Sequence, residues 1–252
     1  MNHNIRFSSP VIGAIIEVRM TSSRLPGKHM LESNGIPMIV RLLRRVKSIS
    51  RLDRIVLATT ANAEDDVFVA VAKQEGVDIF RGSEDDVMAR VLQSAVVFDI
   101  DLICEITGDC PLVDVQLTQE AIDVFLNNDI DYLNNGTSGL PDGLGCQLFT
   151  TRALEISYNL TNKSLDFEHV TAHIIRNSMV FRSLYPNVPT SLFWPEVSFS
   201  LDEQDDYRFL NEIILNCEDK NFFFGTKTVI DFLRNRPDLV QMNSEIRRRG
   251  YE

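Results

Sequence analysis

The chain has 252 residues, of which 44% are hydrophobic and 24% are charged, a composition typical of an ordinary globular protein. Lys and Arg number 25 against 36 Asp and Glu, giving a formal net charge of −11, so a nucleic-acid partner is not expected because the chain repels a phosphate polymer. No apolar run in the sequence is long enough to span a bilayer, which argues against a membrane partner. The polar beginning MNHNIRFSSP lacks a signal-peptide core, so we expect a cytoplasmic location.

The first half of the sequence alternates apolar strands with amphipathic helices. The run from Val11 to Val18 is almost continuously apolar, which is typical of a strand buried on both faces. Pro37 then opens a stretch with apolar residues at helical spacing up to Ile49. The alternation continues with strands predicted over 55–59, 77–80 and 102–106, and helices over 66–74, 86–98 and 116–126.

This alternation predicts βαβ crossovers and therefore a doubly wound, mostly parallel α/β sheet. The alternation of strands and helices ends at Asp131, where a turn-rich stretch begins. We interpret residues 131–190 approximately as a small α+β insertion that lines the site and pairs subunits, within a single domain spanning 1–252. The remaining predicted elements are a helix around 167–176, a strand near 180–185, a strand over 197–201, and helices beginning near 207, 227 and 238.

Ligands of parallel sheets bind beyond the carboxyl ends of the strands, so the loops that follow strands are the candidate site. The first such loop, RMTSSRLPGK, contains three cations, two hydroxyl groups and a glycine that permits close backbone approach. This combination suits a polyphosphate, although the spacing of a P-loop is absent. A solvated basic turn would have the same composition, and the loop alone does not separate the two interpretations.

Two aspartates are candidate ligands of a divalent cation. Asp109 follows the strand 102–106 in the segment TGDCPLVD, where it is well placed as a hard oxygen ligand for Mg²⁺. Asp202 follows the segment 197–201 and reaches the same edge if that segment is a strand of the same sheet. In the alternative interpretation Asp202 belongs to a surface turn, in which Asp205 caps the following helix.

The segment RGSEDD follows a short strand and precedes a helix. Arg81 and Ser83 could hold a base, a ribose or a phosphate. Asp85 or Asp86 most simply caps the helix at its positive end. We therefore assign the acids to capping and the other two residues to binding.

Taken in order, these segments resemble the CMP-sugar synthetase family of cytidylyltransferases, and most nearly its spore-coat polysaccharide biosynthesis branch. The resemblance rests on RMTSSRLPGK, RGSEDDV, ITGDCPLVD, DYLNN with LPDG, EHVT and SLDEQDDY, and it extends from about Val11 to Tyr207. It implies a Rossmann-like, mixed sheet of the nucleotide-diphospho-sugar transferase type. It also implies a homodimer that transfers CMP from CTP to an acidic sugar and releases pyrophosphate, for the synthesis of surface glycan precursors.

The resemblance also implies a role for individual residues. The nucleotide-binding residues would be Arg19, Ser22, Arg24, Lys28, Arg81 and Ser83. The catalytic residues would be Arg24, Lys28 and Asp109. Asp109 and Asp202 would hold Mg²⁺, and Asn134, Glu168 and His169 would contact the acceptor.

The sequence departs from the branch pattern mainly on the acceptor side. The first loop begins Glu17-Val18 where the pattern usually has Gln-Ala, a difference that would change how the base is seated. On the acceptor side, Phe167 stands where the pattern usually has Arg. The usual acidic residues near Gly145 and Gln147 are absent. These differences indicate an unusual acceptor, so a phosphonate, a phosphoramidate or another small acid is an alternative. A further alternative is a non-catalytic nucleotide-binding relative that has lost turnover. The joint presence of Asp109, Asp202, Arg24 and Lys28 argues against it.

Overall fold

A computed structural model describes residues 9–136, 139–218 and 224–244. Its strands are β1 (Ile12–Glu17), β2 (Glu32–Ser33), β3 (Ile36–Pro37), β4 (Arg54–Thr60), β5 (Asp78–Gly82), β6 (Leu102–Thr107), β7 (Tyr132–Asn134), β8 (Gln147–Thr150) and β9 (Ser183–Leu184). Its α-helices are α1 (Met38–Val46), α2 (Asp66–Glu75), α3 (Val87–Val97), α4 (Val115–Leu126), α5 (Thr151–Leu160), α6 (Ser164–Glu168), α7 (Ala172–Arg176), α8 (Gln204–Cys217), α9 (Thr226–Arg234) and α10 (Pro237–Ser244).

The main sheet has seven strands in the order β5-β4-β1-β6-β8-β7-β9, and β2 and β3 form a separate hairpin. The four strands from β5 to β6 are parallel to one another, whereas β8 is antiparallel to both of its neighbours. The predicted mixed, mostly parallel α/β sheet is thus confirmed. Residues of the predicted insertion supply β7, β8 and β9 to this same sheet.

Strand β1 is buried on both faces, as its continuous apolar sequence predicts. Ala14 and Ile16 pack in a cluster that contains residues of α1, α2 and α4. Ile15, on the opposite face, packs with residues of α3 and α5. Because each fully buried Ile or Leu side chain contributes about 1.5–3 kcal/mol, this two-sided burial fixes the middle of the sheet.

The helix boundaries follow from local capping. Gly76 ends α2 with a φ of 67°, a left-handed conformation that glycine adopts without steric cost. Asp86 is the N-cap of α3, where its side chain accepts a hydrogen bond from the Ala89 N–H group. Both features agree with the sequence interpretation.

The second half differs from the sequence-based prediction in several places. Residues 197–201 form no strand of the main sheet, although Ser198 makes an isolated bridge with Asp142. The predicted helix over 167–176 is two short helices, α6 and α7, and the helix α5 was not predicted. Asp205 does not cap α8, because Glu203 is the N-cap and forms a reciprocal capping box with Asp206.

Candidate active site

The loop after β1 folds back so that Lys28 is turned inward. Gly27 has a φ of 70° immediately before a short 3-10 helix over Lys28–Met30, and its N–H group donates to the Met20 carbonyl at 3.0 Å. A residue with a side chain would be strained in this left-handed conformation. The turn leaves Lys28 only 7% exposed, so its charge must be balanced within the protein.

Two carboxylates supply that balance. The Lys28 ammonium donates to Asp109 Oδ2 at 2.8 Å and to Asp202 Oδ1 at 2.9 Å. The Arg24 guanidinium lies 2.8 Å from the same oxygen of Asp202. Three loops that are far apart in the sequence therefore meet in one cluster of charge-assisted hydrogen bonds. The cluster contains the three predicted catalytic residues and both predicted metal ligands.

A short chain of backbone contacts brings the two aspartates together. The Gly108 N–H group donates to the Glu17 carbonyl at 3.0 Å, which holds the loop after β6 against the end of β1. The Leu201 N–H group donates to the Asp109 carbonyl at 2.8 Å. This hydrogen bond holds Leu201, and with it Asp202, beside the loop after β6, although the segment before Asp202 is not a strand of the sheet. The predicted meeting of Asp109 and Asp202 occurs by a different route from the one that the sequence suggests.

The cluster is charged at neutral pH. Burial raises the pKa of Asp109, but the Lys28 ammonium outweighs burial and holds this pKa at about 2. Burial lowers the pKa of Lys28, but Asp109 and Asp202 outweigh it, so the net shift is upward. At pH 7 the Lys28 ammonium and the Asp109 carboxylate therefore form a charged pair at 2.8 Å.

His29 lies next to this cluster but remains neutral. Burial, together with the neighbouring Lys28 charge, lowers the pKa of His29 to about 4. Its Nδ1 atom lies 3.1 Å from the Gly108 carbonyl oxygen, so Nδ1 carries the proton in the neutral ring. His29 thus supports the Gly108 turn and adds no charge to the site.

The other predicted nucleotide-binding residues lie in the loop after β1, and in β5 and the turn that follows it. The Ser22 hydroxyl accepts from the Leu25 N–H group at 3.4 Å within the first loop. The Arg81 guanidinium donates to the Thr60 and Asn62 carbonyls at 2.9 and 2.8 Å, and the Ser83 hydroxyl accepts from the Asp86 N–H group. Arg19 lies in the first loop, close enough to influence the pKa of Arg90. Their contact with a nucleotide stays a prediction.

The predicted acceptor-binding residues all follow β6 in the sequence. Asn134, at the end of β7, is paired in register with Gln147 of β8. Glu168 ends α6, and His169 follows it in the break before α7. Sequence reasoning missed Gln147 and Thr171 as members of this region. The Gln147 side-chain oxygen accepts from Tyr132 at 2.5 Å and from Thr171 at 2.7 Å, which fixes its orientation.

Sequence reasoning also missed one buried acid. Glu105 lies in the middle of the apolar strand β6 and is 5% exposed. Burial, and the neighbouring Glu17 carboxyl, raise its pKa well above the usual range. An acid within the otherwise apolar segment LICEI was the signal available in the sequence, since an unpaired buried carboxylate is costly.

A comparison with known proteins identifies the family of this chain. A family model described as cytidylyltransferase matches residues 13–224 of this chain. The chain belongs to the cytidylyltransferase family. Membership makes it a nucleotidyltransferase, in agreement with the charged cluster at the carboxyl edge of the sheet.

Several relatives of this cytidylyltransferase are similar over nearly their whole length. An uncharacterised protein of Methanocaldococcus jannaschii is 32% identical, over 96% of this chain and 97% of its own. The spore coat polysaccharide biosynthesis protein SpsF of Bacillus subtilis is 26% identical, over 89% of this chain and 94% of its own. A solved cytidylyltransferase structure from Leptospira borgpetersenii is 29% identical, with a TM-score of 0.85, over 92% of this chain and 97% of its own.

A more distant structure has the same fold. It is a CMP:2-keto-3-deoxy-manno-octonic acid synthetase complexed with CTP, with a TM-score of 0.61 at 13% identity, over 81% of this chain and 98% of its own. Within the described part of this cytidylyltransferase, no helix has the length and apolar character that crossing a bilayer requires.

Proposed function

We propose that this cytidylyltransferase transfers CMP from CTP to a keto-sugar acid and releases pyrophosphate, as a cytoplasmic homodimer that supplies precursors of a surface glycan. The observation that carries the proposal is the convergence of Arg24 and Lys28 on the carboxylates of Asp109 and Asp202. Relatives named for spore coat polysaccharide biosynthesis and as 3-deoxy-manno-octulosonate cytidylyltransferases support a sugar acid as the acceptor.

The reaction needs charge neutralisation and positioning more than covalent help. An acceptor hydroxyl attacks the α-phosphorus of CTP and releases its proton to water as a new P–O bond forms. The bond from that phosphorus to the bridging oxygen breaks, and pyrophosphate leaves. Arg24 and Lys28 would exchange their contact with Asp202 for contact with phosphate oxygens. Arg24 already has a shielded Nη1 atom with no hydrogen-bond partner among the described residues, which a phosphate oxygen would satisfy.

The two aspartates fit the magnesium ion that we propose as the cofactor. Both offer hard carboxylate oxygens, and both already lie within 2.9 Å of one cationic atom, the Lys28 Nζ. Magnesium ions that act on nucleotides are usually held by one or two protein carboxylates, together with phosphate oxygens and water. Asp109 and Asp202 would hold the ion, which when bound neutralises charge on the triphosphate.

The test is pyrophosphate release by the purified protein with Mg²⁺. CTP, UTP, GTP and ATP are each offered with a panel of keto-sugar acids and small phosphonates. We expect pyrophosphate release with CTP and a keto-sugar acid. In Asp109→Asn the rate of release should fall by about a hundredfold or more. Asp231→Asn is the matched control, because this carboxylate is also paired with a lysine, Lys227, but lies exposed on α9.

Each outcome of this test distinguishes between the candidates. Release only with a phosphonate would replace the sugar acid by a non-sugar acceptor while leaving cytidylyl transfer in place. CTP binding without release on any acceptor would favour a non-catalytic relative. Equal rates in Asp109→Asn and in the control would remove this aspartate from the proposed mechanism.

A further inference from the structure

A buried polar link joins the C-terminal helix α10 to the segment that carries Asp202. Asn243 of α10 is 2% exposed. Its side-chain Nδ2 atom donates to the Ser198 carbonyl at 2.9 Å, and its Oδ1 atom accepts from the Ser198 N–H group at 2.8 Å. The amide therefore satisfies both backbone groups of Ser198, as a paired residue of a neighbouring antiparallel strand would.

The same asparagine is connected to the backbone of Asp202 through Asp206. The Asn243 Nδ2 atom also lies 3.4 Å from Oδ1 of Asp206, a fully buried residue of α8. The Asp206 Oδ2 atom accepts from the N–H groups of Asp202 and Glu203 at 3.0 and 2.9 Å. Ser198 and Asp202 are thus both held from behind by side chains of the C-terminal helices.

A serine between them holds the Asp202 side chain. The Ser200 hydroxyl donates to Asp202 Oδ2 at 3.3 Å, whereas Lys28 and Arg24 both approach Oδ1. The Ser200 N–H group in turn donates to the Ser198 hydroxyl at 3.2 Å. The position of Ser198 therefore bears on the backbone from which the Ser200 hydroxyl extends. Within these contacts the two oxygens of Asp202 have different partners, and Oδ1 is the one that faces the cations.

We propose that Asn243 and Asp206 are positioning residues, which hold the Asp202 carboxylate in the orientation that binds the divalent cation. This inference rests on the proposed function and extends the support of the active site to the C-terminal helix α10. Because residues 197–201 form no strand of the main sheet, the sheet ladder does not fix Asp202. A carboxylate binds a metal tightly when supporting hydrogen bonds set its orientation, and losing such support usually weakens metal affinity about 10- to 100-fold.

The first measurement is residue-resolved amide hydrogen exchange by NMR. In Asn243→Ala the Asp206 acceptor loses a neighbour that holds it in place, so the N–H groups of Asp202 and Glu203 should exchange about tenfold faster. Asp206→Asn should show a smaller increase, because an amide oxygen accepts more weakly than a carboxylate. The Gly108 N–H group, which belongs to the same site but bonds to β1, should keep its rate.

The second measurement is Mn²⁺ binding by electron paramagnetic resonance, since Mn²⁺ binds the same oxygen ligands as Mg²⁺. The protein is saturated with a CTP analogue that has a methylene group in place of the α,β-bridging oxygen, which blocks turnover. A titration without protein gives the contribution of the analogue itself. We expect the dissociation constant of Mn²⁺ to rise about tenfold or more in Asn243→Ala and in Asp206→Asn, as it should in Asp202→Asn.

Thr226→Val is the matched control. Thr226 is also a buried polar residue of a C-terminal helix, but its hydroxyl donates to Asp114 and not to the segment that carries Asp202. This variant should keep the wild-type exchange rates and Mn²⁺ affinity. Urea unfolding checks that each variant is folded. If Asn243→Ala is not folded, Asp206→Asn decides, because it preserves the shape of the side chain.

The outcomes separate this inference from the proposed function. Unchanged exchange at Asp202 and Glu203, equally increased exchange at Gly108, or an Mn²⁺ affinity that matches the control would each overturn the inference. An unchanged Mn²⁺ affinity together with CTP-dependent pyrophosphate release would overturn it and leave the proposed function intact. The expected losses in a protein that releases no pyrophosphate with any acceptor would support the positioning role and count against the proposed function alone.

Discussion

Replacing Glu17 with glutamine is expected to stabilise the protein above about pH 4.5, with the full effect at neutral and alkaline pH. Burial is the main cause that raises the pKa of Glu17 from 4.5 to about 7. Between these two values the folded protein binds more protons than the unfolded chain, so the free energy of unfolding decreases as pH rises through this window and stays low above it. Glutamine has a similar shape and does not ionise, so the variant does not undergo this decrease.

The size of the effect follows from the two pKa values. The difference between 4.5 and about 7 corresponds to about 3 kcal/mol at 1.36 kcal/mol per pKa unit. The variant should therefore gain up to about 3 kcal/mol at pH 8 and almost nothing at pH 4, where the carboxyl is protonated in both states. In a chain of this length, such a gain raises Tm by roughly 6–12 °C.

Urea unfolding of both proteins at pH 4, 6 and 8 measures this difference. Glu75→Gln is a control with the opposite sign. Burial raises the pKa of Glu75, but Arg44 and Lys47 outweigh it, and the net shift is downward. The ionised Glu75 carboxylate stabilises the folded protein above pH 4.5. This stabilisation is lost as the pH falls through the lowered pKa that Glu75 has in the folded state. A loss of stability in Glu17→Gln at pH 8, or the same gain at pH 4 and pH 8, would refute the reasoning.

Three further substitutions test other parts of the structure. Gly108→Ala would place a Cβ atom 2.5 Å from the Glu17 carbonyl oxygen. The free energy of unfolding, measured in urea, should therefore fall by about 1–3 kcal/mol. Asp114→Ala removes the N-cap of α4 and the hydrogen bond from the Thr226 N–H group, so the free energy of unfolding should fall by about 2 kcal/mol in the same assay. Gln116→Ala, at an exposed position of the same helix, is the control and should not show this loss. Lys28→Met removes the ammonium between Asp109 and Asp202; NMR titration should show the pKa of Asp109 rising from about 2.

The first half of the fold could be predicted because its physical signals are local. The apolar run of β1 reports burial on two faces, and Gly76 and Asp86 mark helix ends through their own backbone and side-chain chemistry. The second half depends on distant contacts. The segment 197–201 has the composition of a strand, but its Phe199 and Leu201 N–H groups donate to the carbonyls of Asp142 and Asp109. No local pattern encodes that choice.

The candidate site could be predicted in part for the same reason. Arg24, Lys28 and Asp109 lie in loops that directly follow predicted strands, so the sheet alone places them at one edge. The position of Asp202 depends on long-range contacts that the sequence does not reveal, among them the backbone hydrogen bonds of Phe199 and Leu201. The placement of Gln147 opposite Glu105 depends on an antiparallel pairing of β6 with β8, which the βαβ pattern does not predict.

The most direct test of the central claim follows the phosphorus of CTP. The purified protein is incubated with Mg²⁺, CTP labelled at the α-phosphorus and the keto-sugar acid panel, and the products are separated. The account predicts label in a CMP-sugar, with unlabelled pyrophosphate, for the wild type and Asp231→Asn, and a rate lower by about a hundredfold or more for Asp202→Asn. An undiminished rate in Asp202→Asn, or label that never reaches a sugar, would contradict it.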